Sequence, residues 1–254
     1  MARDALKKPG FNMDDDRDQD GPPRGQDDQP EHGRDRSVTF DQFDLKNYLH
    51  ADNKADGSAS EQFIFQVTGL ELHGAHVGLP GLGSKFGMYF IVDASLVPSS
   101  GGPPTFTKLD IRLMADPGNN NGALSATTAG IGFANGTADD VTLATGSLVS
   151  AQLSINAIPL PNTRHANFVE QIAPTEEGRE VFGNSLAVGD QLRELLTTLG
   201  SDPPHHIIPL AGGASTVLVN GGIGTAQLVS GQAMTLSTEE LLPGHGHGGS
   251  WGLG

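Results

Sequence analysis

The sequence predicts a mainly β fold. An antiparallel sandwich or barrel carries one amphipathic helix, over about residues 188–199, and follows a disordered acidic N-terminal tail. Three observations predict this. Apolar residues recur at period two along several segments. Clusters of Asp, Asn, Gly and Pro punctuate those segments as turns do. Acids also crowd the first quarter: residues 1–62 hold 15 of the 30 Asp and Glu, beside 9 of the 15 Lys and Arg.

Residues 1–62 read as an acidic, largely disordered segment, because Pro22-Pro23 and the polar surroundings cannot bury enough apolar area to offset the entropy of ordering. Within it, about residues 1–36 read as disordered. "SVTFDQFDLKNYL" reads as a short amphipathic piece that docks on the domain. The β-rich domain is expected over residues 63–240, and a Gly/His-rich flexible tail over residues 241–254.

Within the domain, "FIFQVTG" opens the strands. "FGMYFIVDASLV" sets Phe86, Met88, Phe90, Val92, Ala94 and Leu96 on one face. "TFTKLDIRLMADP" turns Leu109, Ile111, Leu113 and Ala115 inward and Lys108, Asp110 and Arg112 outward, then stops at Asp116-Pro117-Gly118. "ADDVTLATGSLVSAQLSIN" is too long for a typical single strand, so a bend or bulge is expected at Thr145-Gly146-Ser147. "PTEEGREVFG" adds a short turn. "VGDQLRELLTTLG" places Leu192, Leu195, Leu196 and Leu199 at helical spacing, with Asp190 as N-cap and Gly200 as the stop. "STVLVNGGIGTAQLVSG" reads as a hairpin turning at Asn220-Gly221-Gly222.

The net charge of −15 repels phosphate backbones and anionic lipid, which argues against nucleic acid as a partner. No stretch approaches the roughly 18 consecutive apolar residues of a membrane span. The absence of cysteine excludes disulfides, thiolate nucleophiles and Cys-ligated zinc.

The candidate chemistry is sparse. "DRDQDGPPRGQD" places Asp16, Asp18 and Asp20 at positions one, three and five of a calcium-type loop, with Gly21 next and Asp27 at position twelve. Asp27 replaces the bidentate Glu and Pro23 breaks the pattern, so a solvated acidic tail is the plainer reading and any calcium bound there is held weakly. His245 and His247 in "GHGHGG" offer a weak transition-metal site. His73 with His76, and His205 with His206, could pool imidazoles, although residues three apart on a strand face opposite ways. "GLPGLGSK" lacks the order of a phosphate loop, and G-x-S-x-G does not occur. Asp116, Asp139 and Asp140 suit turn duty, with convergence into calcium loops as the alternative.

The order "GMYFIVDASL", "FTKLDIRLMADP", "ADDVTLATGSLVSA", "NFVEQIAPTEEGREVF" resembles a family of flocculation-associated bacterial exported β-proteins that carry a C-terminal PEP-type sorting signal. The resemblance covers about residues 86–183. It rests on the strand around Tyr89, the strand running into Asp116-Pro117, "DDVTLATG" at Asp139–Gly146, and the turn from Thr175 to Gly178 ahead of Phe182. It implies an extracellular, matrix-associated role with no catalytic residues. The chain shows neither an N-terminal apolar segment nor a C-terminal sorting signal, so export by a route without a signal peptide is expected.

The leading expectation is therefore a non-enzymatic extracellular or cell-surface β-domain with a structural, adhesive or matrix-associated role. Its expected partners are a polysaccharide or another surface protein, with homo-oligomers through sheet edges as a further option. The second reading is a cytoplasmic β-barrel enzyme of the isomerase, cyclase or hydratase type, with an apolar pocket worked by Tyr89, Asp93, Asp110, Arg112 and Glu170. A calcium- or transition-metal-binding accessory protein is the third.

Overall fold

A computed structural model describes residues 37–100, 102–156, 163–198 and 205–242. In chain order these form β1 (Ser37–Phe40), β2 (Gln42–Asn53), β3 (Ala59–Leu72), β4 (Ala75–Val77), β5 (Phe86–Ser99), β6 (Gly102–Pro117), β7 (Leu124–Thr127) and β8 (Gly130–Phe133). There follow β9 (Val141–Asn156), β10 (Thr163–Pro174), α1 (Glu176–Phe182), β11 (Gln191–Thr198), β12 (His205–Pro209), β13 (Ser215–Leu228) and β14 (Met234–Ser237).

Eight strands make one antiparallel barrel, in the order β2, β3, β5, β6, β9, β10, β11, β13. Each pairs with its neighbour along this order, as in a meander, and β11 pairs with β13 while β13 pairs with β2, which closes the ring. The remaining length of β13 is covered by β12.

An eight-stranded barrel is just wide enough inside for side chains to fill it. Here phenylalanines fill it: Phe43 meets Phe90 edge-on at 5.5 Å, and Phe168 meets Phe63 at 5.6 Å and Phe106 at 5.3 Å. One end is capped by the β1–β14 ribbon and α1, which add Phe40, Met234, Leu236, Val181 and Phe182 to the same core. Thr175 is the N-cap of α1: its hydroxyl accepts from the Gly178 amide at 3.0 Å and donates to the Thr142 carbonyl at 2.7 Å. Gly178 is required there because a Cβ would overlap the Leu143 carbonyl oxygen.

The fold corrects several expectations. The β domain begins at Ser37 rather than Phe63, since residues 37–62 supply β1, β2 and the start of β3. Within β2, Phe43, Leu45, Leu49 and Ala51 are buried while Asp44, Lys46 and Asp52 are not, so its acidic composition belongs to an outer wall. Of the stretch expected as a helix over 188–199, the described residues 188–198 hold no helix. Gly189 and Asp190 form a tight turn, in which the Asp190 carboxylate accepts from the Ala187 amide at 2.8 Å, and β11 follows it. Backbone pairing on both sides of β11 outweighs the helical spacing of its leucines.

No hairpin turns at Asn220. β13 runs straight through, and the extra residue forms a bulge between Asn220 and Gly222, where Gly221 takes a positive φ of 100°. The bend expected at Thr145–Ser147 is replaced by two irregularities on β9, one where Leu113–Met114 pairs with it and one opposite Val169–Glu170.

Candidate functional site

Glu170 and Glu194 are the unusual groups of the interior. Along β10 and β11, Phe168 faces Glu194 and Glu170 faces Leu192, so the two acids are diagonal neighbours on the inward face. Both are wholly buried. Neither carboxyl finds a hydrogen-bond partner among the described residues. Their cross-strand neighbours on the other sides are Leu148 of β9 and Ala226 of β13.

A carboxylate in such surroundings loses more in hydration than it regains from the protein. Burial therefore pushes the Glu170 carboxyl up to about 8. Burial, and then repulsion from Glu170, push Glu194 well above the usual range. The pair is held protonated at neutral pH. Chemically, such a pair can hold or pass a proton within an apolar interior.

The other four acid–base candidates face outward and do not join Glu170. Tyr89 is buried beneath the β7–β8 hairpin, which lies over the outer wall and packs Phe133 on the Tyr89 ring at 4.8 Å. Its hydroxyl donates to Asp140 in a short hydrogen bond, and Asn121 Nδ2 donates to the same carboxylate oxygen at 2.8 Å. Burial, and then the Asp140 carboxylate, raise the Tyr89 hydroxyl further above its ordinary value. Asp116 accepts the Asn120 and Asn121 amides at 3.1 and 3.2 Å, and Asp139 accepts from Asn120 Nδ2 at 2.6 Å. These acids tie the β6–β8 connection down.

Asp93, Asp110 and Arg112 stand part-exposed on the wall of β5 and β6. Asp93 accepts from Gln62 Nε2 at 2.8 Å and lies 3.6 Å from the Arg112 guanidinium, and Asp110 pairs with Lys108 at 2.7 Å. Asp93 lines a groove of about 320 Å³ together with His50, Ser60, Gln62, Ser95 and Lys108. The β7–β8 hairpin is tied to β2 beside it, as His50 Nδ1 donates to the Thr127 carbonyl at 2.8 Å.

Asp16, Asp18, Asp20, Asp27, His245 and His247 lie outside the described residues. His73, in the turn between β3 and β4, contacts Asp41 at 3.0 Å, and His206 is exposed on β12. Among the described residues, no group of three or more His, Asp or Glu is placed to hold a metal. No helix of the described residues is long and apolar enough to cross a membrane.

Sequence reasoning missed Glu194, because a helix was expected there. A period-two reading, with Leu192 and Glu194 on one face and Gln191 and Arg193 on the other, would have shown it. The fold and these sites define a meander β-barrel with a filled aromatic interior and a polar outer wall. No family model, curated protein or solved structure matches the chain.

Proposed function

We propose that this barrel is a non-enzymatic extracellular or cell-surface module with a matrix-associated role. The observation that carries the reading is the filled interior. The apolar void beside Phe43, Phe90, Ile172 and Leu192 measures about 10 Å³, roughly the space of a single water and far below that of a substrate. On the outer wall, the groove beside Gln62, Asp93 and Lys108 mixes amide, carboxylate, ammonium and hydroxyl groups. That mixture suits the vicinal hydroxyls of a polysaccharide. The resemblance over residues 86–183 supports the same role.

Fractionation of a native culture tests it, with immunodetection in medium, surface wash and cytosol. Protein in the medium or wash, co-sedimenting with matrix polysaccharide, is expected. Confinement to the cytosol would refute it. One observation favours the enzyme reading: the Glu170–Glu194 pair has the raised proton affinity of a general acid. Under that reading, a substrate screen gives a turnover that Glu170→Gln abolishes.

A further inference from the structure

The strand that closes the barrel also carries an acid without a partner. β11 pairs with β13 over six residues, Leu192–Thr197 against Ile223–Leu228, whereas β9–β10 and β2–β3 each pair over twelve. Among the barrel pairings, β6–β9 is equally short, but its inward residues include Ile111 and Leu113, which are apolar and buried. On the seam, Glu194 faces Ala226 on one side and Phe168 on the other, with Glu170 on the diagonal.

The inward side chains adjoining the pair carry no charge. They are Leu148 on β9, Phe168 and Ile172 on β10, Leu192 on β11, and Ala226 and Leu228 on β13. Arg193 alternates to the opposite face of β11. Glu61 is another inward acid, on β3 across the barrel. It lies nearer the uncapped end than Phe63, which packs on Phe168, whereas Glu170 lies nearer the cap than Phe168. Each acid of the pair therefore meets the charge of the other, and none of its cross-strand or diagonal neighbours on β9, β10, β11 and β13 is a Lys or Arg.

We propose that Glu170 and Glu194 form a proton-operated latch on the β11–β13 seam. With both carboxyls protonated, the seam is closed. Loss of protons to solvent leaves two carboxylates that the dry interior can neither hydrate nor separate. The cheapest escape is for β11 to part from β13, which brings water to Glu194 and breaks the six-residue pairing before the longer ones. Opening therefore becomes easier as pH rises, because the open seam binds fewer protons than the closed one. The open form also presents two unpaired strand edges, which are competent to pair with another chain.

Hydrogen exchange on the full chain across about pH 5 to 9 tests this, read as protection factors so that the intrinsic pH dependence of exchange is removed. The latch predicts that protection in residues 192–197 and 223–228 falls about tenfold per pH unit for each carboxyl that ionises on opening. Protection across β5–β6, which needs the whole barrel to open, stays above that of the seam at every pH. Glu194→Gln reduces the slope at the seam, and the Glu170→Gln, Glu194→Gln double variant removes it. Seam protection independent of pH in the unaltered protein would overturn the proposal. So would equal protection in the seam and in every other barrel strand at each pH, which reports global unfolding alone. The unaltered protein supplies both readouts even if a variant fails to fold.

Discussion

Replacing Glu170 by glutamine keeps the side chain's shape and a polar head but removes the proton equilibrium. In the folded barrel the Glu170 carboxyl holds its proton up to about pH 8, against the usual 4.5 of an exposed glutamate. Between those values the folded state binds a proton that the unfolded state has released, so stability falls as pH rises. Below about pH 4.5 both states are protonated and the penalty vanishes. At about pH 7.5 the displacement is roughly 3 pKa units, or about 4 kcal/mol at 1.36 kcal/mol per unit. Glu170→Gln should therefore match the unaltered protein near pH 4 and exceed it by about 4 kcal/mol near pH 7.5. For a domain of this size that is an increase in Tm of roughly 8–16 °C. Urea or thermal denaturation of the two proteins at matched pH reads the difference directly. A stability difference unchanged from pH 4 to pH 8 would refute the assignment of Glu170 to a dry, uncompensated site.

Other substitutions probe the frame around the pair. Phe168→Ala removes the ring that joins Phe63 and Phe106; it should cost about 3–5 kcal/mol in denaturant melts, as a large core truncation does. Gly178→Ala drives a methyl into the Leu143 carbonyl oxygen. Since backbone must move to relieve it, folded yield and Tm should both drop, and unchanged melting would contradict the packing of α1 on β9. Tyr89→Phe removes one of the two donors to Asp140 Oδ2 beneath the β7–β8 hairpin and leaves Asn121 Nδ2 in place, at about 1–3 kcal/mol for a part-buried hydrogen bond to a carboxylate. Exchange protection should fall in residues 118–140 ahead of the barrel strands.

Much of the wall was legible in the sequence. Phe86, Met88, Phe90, Val92, Ala94 and Leu96, and Leu109, Ile111, Leu113 and Ala115, fall on one parity because that face meets the core, and the structure buries them all; on the other face Tyr89 and Met114 are covered by the β7–β8 hairpin. Thr175 and Gly178 declared the turn that became α1. β2 was less legible, because Asp44, Lys46 and Asp52 between its apolar residues looked like tail composition, and Asn47 interrupts the inward row at Phe43, Leu45, Leu49 and Ala51. Of the candidate site, Glu170 was legible as an acid on a strand. Glu194 was hidden because the leucines around it fit the helical period locally, and only pairing with β10 and β13 decides between the periods. Closure of the ring is likewise a long-range fact. It joins residues 192–197 to 223–228, and the Asn220-Gly221-Gly222 bulge that continues β13 reads locally as a hairpin turn.

Glu170 and Glu194, diagonal neighbours inside this barrel, are held protonated at neutral pH by burial. Infrared difference spectroscopy of the full chain at about pH 7, comparing the unaltered protein with the Glu170→Gln, Glu194→Gln double variant, tests it most directly. The buried pair should give a protonated-carboxyl C=O stretch that survives transfer to heavy water with only a small isotope shift and is lost in the double variant. A spectrum showing only ionised carboxylates at pH 7, unchanged between the two proteins in the carboxylic-acid region, would contradict it.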